Sequence, residues 1–206
     1  MVFEDKSRSS AWIFLGVVFI IAVLIIMLAR QDNYVPQDDL NSSGLLIYSS
    51  NMPLQPAVSL SKVDVFFCPE DNCANQLIRE IDSSKKSVYI AIYSFTHDGI
   101  ADSLIRARSR GVEVKVIFDY DQSTNKSSDD ERIFAAGIPI ARRNGSGYMH
   151  NKFTIIDGNF VATGSFNYSQ NADEKNDENL VFIESADIAS KFKSDFDYLW
   201  DISDKA

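Results

Sequence analysis

Residues 150–167 read HNKFTIIDGNFVATGSFN, two short apolar runs joined by Asp157 and Gly158. An Asp-Gly pair between such runs is a strong hairpin signal, because both residues tolerate the positive φ that a two-residue turn requires. The stretch predicts antiparallel strands over 149–156 and 159–163. His150 and Lys152 stand two apart, so strand alternation points both side chains to one face. If the turn is the tight two-residue form, Lys152 falls opposite Thr163 and His150 opposite Ser165, all on that face. Phe153, Ile155, Phe160 and Ala162 then share the other. The expectation is a hairpin with one polar, site-bearing face and one core face.

Outward from the hairpin, strand and helix patterns alternate. Strands are expected at 63–67, 87–94, 112–119, 138–141 and 179–184, and helices at 73–83, 99–110, 129–136 and 186–200. Residues 142–147 read as a flexible loop with two glycines, and 166–172 as a short helix or loop. Such alternation predicts an α/β fold: a mixed, mostly parallel sheet flanked by helices on both faces. One catalytic domain over 62–203 accommodates all of it.

The remainder of the 206 residues divides into a tail at 1–10, an apolar segment at 11–29 and a linker at 30–61. AWIFLGVVFIIAVLIIMLA, residues 11–29, carries no charge over 19 positions, close to the ~20 residues that cross a bilayer as a helix. It reads as a transmembrane anchor. The competing reading, a cleaved signal peptide, is disfavoured because the run exceeds the usual ~7–15 residues and Met27 occupies the −3 position for a cut after Ala29. Lys6 and Arg8 precede the span, while Asp32, Asp38 and Asp39 follow it, so the N-terminus is expected in the cytoplasm and, in a prokaryote, the domain outside it. Residues 30–61 are rich in Asn, Asp, Ser, Gln and Pro and read as a tether with one short strand at 45–48. The formal net charge is −9, which disfavours nonspecific nucleic-acid binding over a broad surface and leaves room for a local basic site.

Residues 150–167 also fit H-x-K-x4-D-x6-G-S-x-N at all six fixed positions, a coincidence on the order of 10⁻⁸ per window. This pattern resembles that of the phospholipase D superfamily. The single copy, the small domain and the YSFT at 93–96 are similar to its small bacterial endonucleases and mitochondrial relatives, over about residues 62–200. The resemblance implies a phosphohistidine intermediate on His150, no metal or other cofactor, and an active site assembled from two motif copies. With one copy per chain, it implies a homodimer with the site at the subunit interface.

The residue chemistry fits that implication. A phosphodiester is shielded by its negative charge, so cleavage needs a nucleophile, stabilisation of the nonbridging oxygens, and a proton for the leaving oxygen. Neutral His150 can attack; Lys152 supplies positive charge; Asn167 and Ser165 can donate to phosphoryl oxygens. A second His150 would protonate the leaving group and then activate water. The resemblance assigns an acidic residue just after the motif to hold the other imidazole nitrogen, and Glu178 matches by position, with Asp177 adjacent. Asp157 belongs to the pattern, yet as a residue type it reads better as a turn-former capping backbone amides than as a proton carrier. Gly164 reads as a close backbone approach near phosphate.

Several signals admit two readings. His97 either touches substrate or starts a helix beside Thr96 and Asp98. Arg142 and Arg143 either grip phosphates flanking the scissile bond or form a solvated loop. Cys68 and Cys73 either form a disulfide or remain buried thiols; zinc would need further ligands that the chain does not readily supply. The expected function is phosphodiester hydrolysis by a membrane-anchored endonuclease. A phospholipase D acting on membrane headgroups and an inactive tethered binding module are the alternatives.

Overall fold

The computed structural model describes residues 62–206; the anchor expected at 11–29, the linker at 30–61 and its short strand lie outside the described residues. Among the described residues no helix is long and apolar enough to cross a membrane. The elements are β1 (Lys62–Cys68), α1 (Cys73–Ser83), β2 (Ser87–Ile92), α2 (Asp98–Ser109), β3 (Glu113–Asp119), α3 (Tyr120–Ser123) and α4 (Asp130–Ala135). There follow β4 (Ile140–Arg143), β5 (Lys152–Ile156), β6 (Phe160–Gly164), α5 (Gln170–Glu174), β7 (Glu178–Glu184), α6 (Ala186–Asp201) and β8 (Asp204–Lys205).

These strands form one sheet in the order β1-β7-β6-β5-β2-β3-β4-β8. The sheet is mixed, as expected, but it is not mostly parallel. Only β2–β3 and β3–β4 pair parallel, and the other neighbours run antiparallel. Alternating helix and strand patterns predict parallel neighbours only when each helix crosses back along the sheet. The five residues of α5 reach roughly 7 Å, too short to return along a strand of roughly 17 Å, so β6 and β7 lie antiparallel.

Both faces of the sheet are core. Val88, Ile90 and Ile92 of β2 face a cluster with Leu77, Ile81 and Leu104 beneath α1 and α2. The alternate positions Tyr89 and Ala91 face Phe153, Ile155, Val161 and Phe196 beneath α6. Burying both faces under helices leaves polar chemistry only the strand ends. Hydroxyl caps start the later helices: Ser169 accepts from Ala172 N at 3.3 Å and Ser185 from Ile188 N at 3.4 Å. Cys68 and Cys73, both buried, are joined as a disulfide linking the end of β1 to the start of α1.

The hairpin departs from its expected register by one residue. Asp157 and Gly158 take φ 53° and 74°, and Asn159 N donates to Ile156 O at 3.2 Å, so the two-residue turn forms. Asn159 then stays out of the ladder, which begins at Ile156 opposite Phe160 and continues to Phe153 opposite Thr163. The extra residue moves Phe160 and Ala162 to the same face as Thr154 and Ile156 and sends Thr163 to the α6 face with Phe153. The division into one polar and one core face is therefore corrected: the functional groups gather at one end of the sheet.

Candidate active site

The ladder continues past the paired ends of β2 and β5, where Tyr93 N donates to Asn151 O at 2.9 Å. That bond sets Tyr93 beside His150, with ring centroids 4.5 Å apart. Lys152, at the start of β5, is 9% exposed, whereas His150 just outside the strand is exposed. The Lys152 Nζ lies 3.1 Å from His150 Nδ1, donates to His150 O at 2.8 Å, and stands 5.1 Å from the centre of the Tyr93 ring. Burial lowers the Lys152 pKa from its usual value, and the nearby Glu178 carboxylate partly offsets this. An ammonium short of hydration is ready to exchange its internal partner for an anionic oxygen.

The other motif residues reach the same end from β6 and β7. Phe166 and Tyr168 are buried on one side of the segment after β6, and Tyr168 exchanges backbone bonds with Ser94 and Thr96. Asn167 between them turns the other way, and its Oδ1 is buried with no hydrogen-bond partner among the described residues. Ser165 Oγ donates to Glu178 Oε2 at 2.5 Å and accepts from Asn179 N at 3.1 Å. The second Glu178 oxygen accepts from Asn176 Nδ2 at 3.2 Å. Within one chain Glu178 thus holds Ser165 and Asn176, while the nearest polar neighbour of His150 Nδ1 is Lys152; the expected Glu178–His150 bond is not formed among the described residues.

Asp157 takes the amide-capping place its residue type suggested, while Gly164 and Arg142 depart from what was expected of them. Asp157 follows β5, seven residues from His150 and roughly 20 Å away along the strand, at a distance from the chemistry. Its carboxylate accepts from the backbone amides of Lys85, Lys86 and Ser87 at 2.7–3.2 Å, joining the hairpin turn to the start of β2. Gly164 does meet a close approach, but to protein: a Cβ there would lie 2.2 Å from Asn179 O on β7. Arg142 lies in β4 and not in a loop, and its guanidinium bonds the buried Asp130 carboxylate at 3.0 Å and Glu131 at 2.8 Å. Its Nε and one Nη are thereby committed to carboxylates.

Arg143, the next residue, does border a cavity with Tyr148, His150 and Asn151. His97 caps α2, its Nδ1 accepting from Ile100 N at 3.4 Å, and its Nε2 lies 3.7 Å from Asp173 Oδ2. The helix-start reading of His97 is the one the structure supports. Sequence reasoning passed over Asp119, whose carboxylate accepts from Met149 N at 2.9 Å and Gln122 N at 3.1 Å and so fixes the approach to His150. Its place at the carboxyl end of a parallel strand was the available signal. It also passed over Tyr148, although period-two spacing puts residue 148 in line with 150 and 152.

The comparisons with known proteins agree with this geometry. The family described as cardiolipin synthase, PLD-like domain, matches residues 77–200. The chain is 30% identical over 191 residues to a phospholipase D of Rickettsia conorii, covering 91% of this chain and 94% of that one. It is 32% identical over 138 residues to a mitochondrial cardiolipin hydrolase of Chlamydomonas reinhardtii, covering 66% of this chain and 62% of that one. The crystal structure of a phospholipase D family member, Nuc from Salmonella typhimurium, superposes with a TM-score of 0.68 at 32% identity, over 70% of this chain and 97% of that one.

Proposed function

The chain belongs to the phospholipase D superfamily and is a phosphodiesterase, and from that premise we propose that it is a membrane-anchored endonuclease working through a covalent phosphohistidine. The observation that carries this reading is an exposed His150 whose Nδ1 meets the ammonium of a buried lysine at 3.1 Å. With Lys152 donating to Nδ1, a neutral imidazole keeps its proton on Nε2 and cannot attack through that nitrogen. A phosphoryl oxygen that draws Lys152 away frees Nδ1 to hold the proton and leaves the Nε2 lone pair for phosphorus. Substrate itself thus readies the nucleophile.

Attack by Nε2 forms the phosphorus–nitrogen bond as the phosphorus–oxygen bond to the leaving alcohol breaks. Lys152 and the Asn167 Nδ2, as donors, stabilise the nonbridging oxygens, and Ser165, held by Glu178, stands beside them. The leaving oxygen needs a proton, and the chain's other histidine, His97, is occupied as a helix cap next to Asp173. A second copy of His150 from a partner subunit therefore protonates the alcohol, then deprotonates the water that releases His150.

Arg143 beside the cavity favours a substrate that extends past the scissile phosphodiester and offers a guanidinium further hydrogen-bond acceptors, as a nucleic acid does. The second reading, hydrolysis of phospholipid headgroups, is favoured by the name of the rickettsial relative and by its alignment over 91% of this chain. The full-length chain in detergent, with EDTA present, should cut labelled oligonucleotides and leave phospholipid intact. His150→Ala should lower turnover at least ~10³-fold. Activity on phospholipid alone would favour the second reading, and no His150-dependent activity on either substrate would sink both.

A further inference from the structure

A cavity of about 300 Å³ adjoins the His150 site and is not used by the hydrolytic steps above. Asp119, Tyr120, Asp121 and Arg143 line it, together with the loop 144–148. Arg143 and Tyr148 also border the recess of about 330 Å³ at His150, so the two spaces adjoin. Tyr148 is 68% exposed and Tyr120 is 38% exposed, unusual for large rings that have a core available nearby. Tyr148 is held edge-to-face on Tyr93 with centroids 5.8 Å apart, and Tyr93 in turn contacts His150. An unbroken run of rings leads from the cavity to the nucleophile.

The charges around the cavity narrow its occupant. The carboxylates of Asp119 and Asp121 oppose a second phosphate, and the Arg143 guanidinium opposes a cationic lipid headgroup. An uncharged planar group bearing both donors and acceptors satisfies all of them. Asp119 is already committed to the Met149 and Gln122 amides, which leaves Asp121 as an acceptor for amino or imino hydrogens and Arg143 as a donor. Tyr148 offers a ring face on which a base can stack.

Building on the nucleic-acid reading, we propose that this cavity is a base-stacking subsite: it binds an unpaired nucleobase flanking the scissile phosphodiester, stacked on Tyr148. A base in a duplex has both faces and its pairing edge occupied, so the subsite selects single strands.

The test uses the full-length chain with three substrates: a single-stranded oligonucleotide, its duplex, and an oligomer of the same length with abasic sugars. Tyr148→Ala should raise KM on the single strand by roughly 5- to 100-fold with little change in kcat, the range given by loss of one stacked base. Tyr148→Phe, which keeps the ring, should restore KM. The abasic oligomer should be a poorer substrate for the wild type and indifferent to Tyr148→Ala, and the duplex should be cut less well than the single strand. An equal KM rise on abasic and base-bearing oligomers, no rise on either, or a Tyr148 effect confined to choline phospholipid would each overturn the subsite. Failure of the wild type to cut any oligonucleotide would overturn the nucleic-acid reading as well, which separates the two results.

Discussion

Asp157 and His150 belong to one sequence pattern and to opposite ends of one strand. Pattern membership alone would give both a chemical role, but only His150 stands where a phosphate can meet Lys152. Burial pushes the Asp157 carboxyl up, yet the amides of Ser87, Lys86 and Lys85 together outweigh it and hold the group below its ordinary 3.8. A depressed carboxyl contributes stability that is fully present above the unfolded value and is lost as pH falls through the folded one. Asp157→Asn should therefore destabilise the fold at pH 7 by about 1–2 kcal/mol in urea titration. The deficit should shrink as the titration is repeated at pH values falling below 3.8 and on through the lower folded value, where the wild-type carboxyl takes up its proton. Turnover of the folded variant should match wild type; a large fall in kcat would return Asp157 to the chemistry.

At the scale of elements, the sequence was most legible where a period or a turn residue stood alone. The strands around Ile90, Val116 and Phe182 and the long helix from Ala186 all lie where their patterns put them. The hairpin was found from Asp157 and Gly158, but its register was not, because residue types identify the turn without counting Asn159 into or out of the ladder. One-turn α3 and two-residue β8 have no period to detect. Arg142 and Arg143 show the same limit. Adjacent and chemically identical, they looked like one basic loop, and only pairing of β4 with β3 turns Arg142 toward Asp130 and leaves Arg143 at the cavity. Arg142→Ala should lower stability by about 3 kcal/mol, since it strands the buried Asp130 carboxylate, and leave KM unchanged. Arg143→Ala should do the reverse, raising KM for an oligonucleotide with little change in the urea midpoint. Matching effects from both variants would contradict the division between them.

At the scale of the whole molecule, an acidic chain with a net charge of −9 has to attract a phosphodiester. One protomer offers the site Lys152 and Arg143; two protomers facing each other across a shared site, as proposed, would offer each twice, a local cationic focus within an acidic body. The proposed pairing would supply the second His150 that the leaving group needs. Chains carrying two different affinity tags, one wild type and one His150→Ala, can be co-expressed and purified through both tags in turn. If the site is shared, this heterodimer should be nearly as inactive as the His150→Ala homodimer, because one histidine attacks and the other donates the proton. If each chain holds a complete site, the heterodimer should keep about half the wild-type turnover, as expected for independent sites in a two-fold assembly. Half activity, or the absence of any doubly tagged species, would remove the partner histidine from the mechanism and require the proton to come from within the chain.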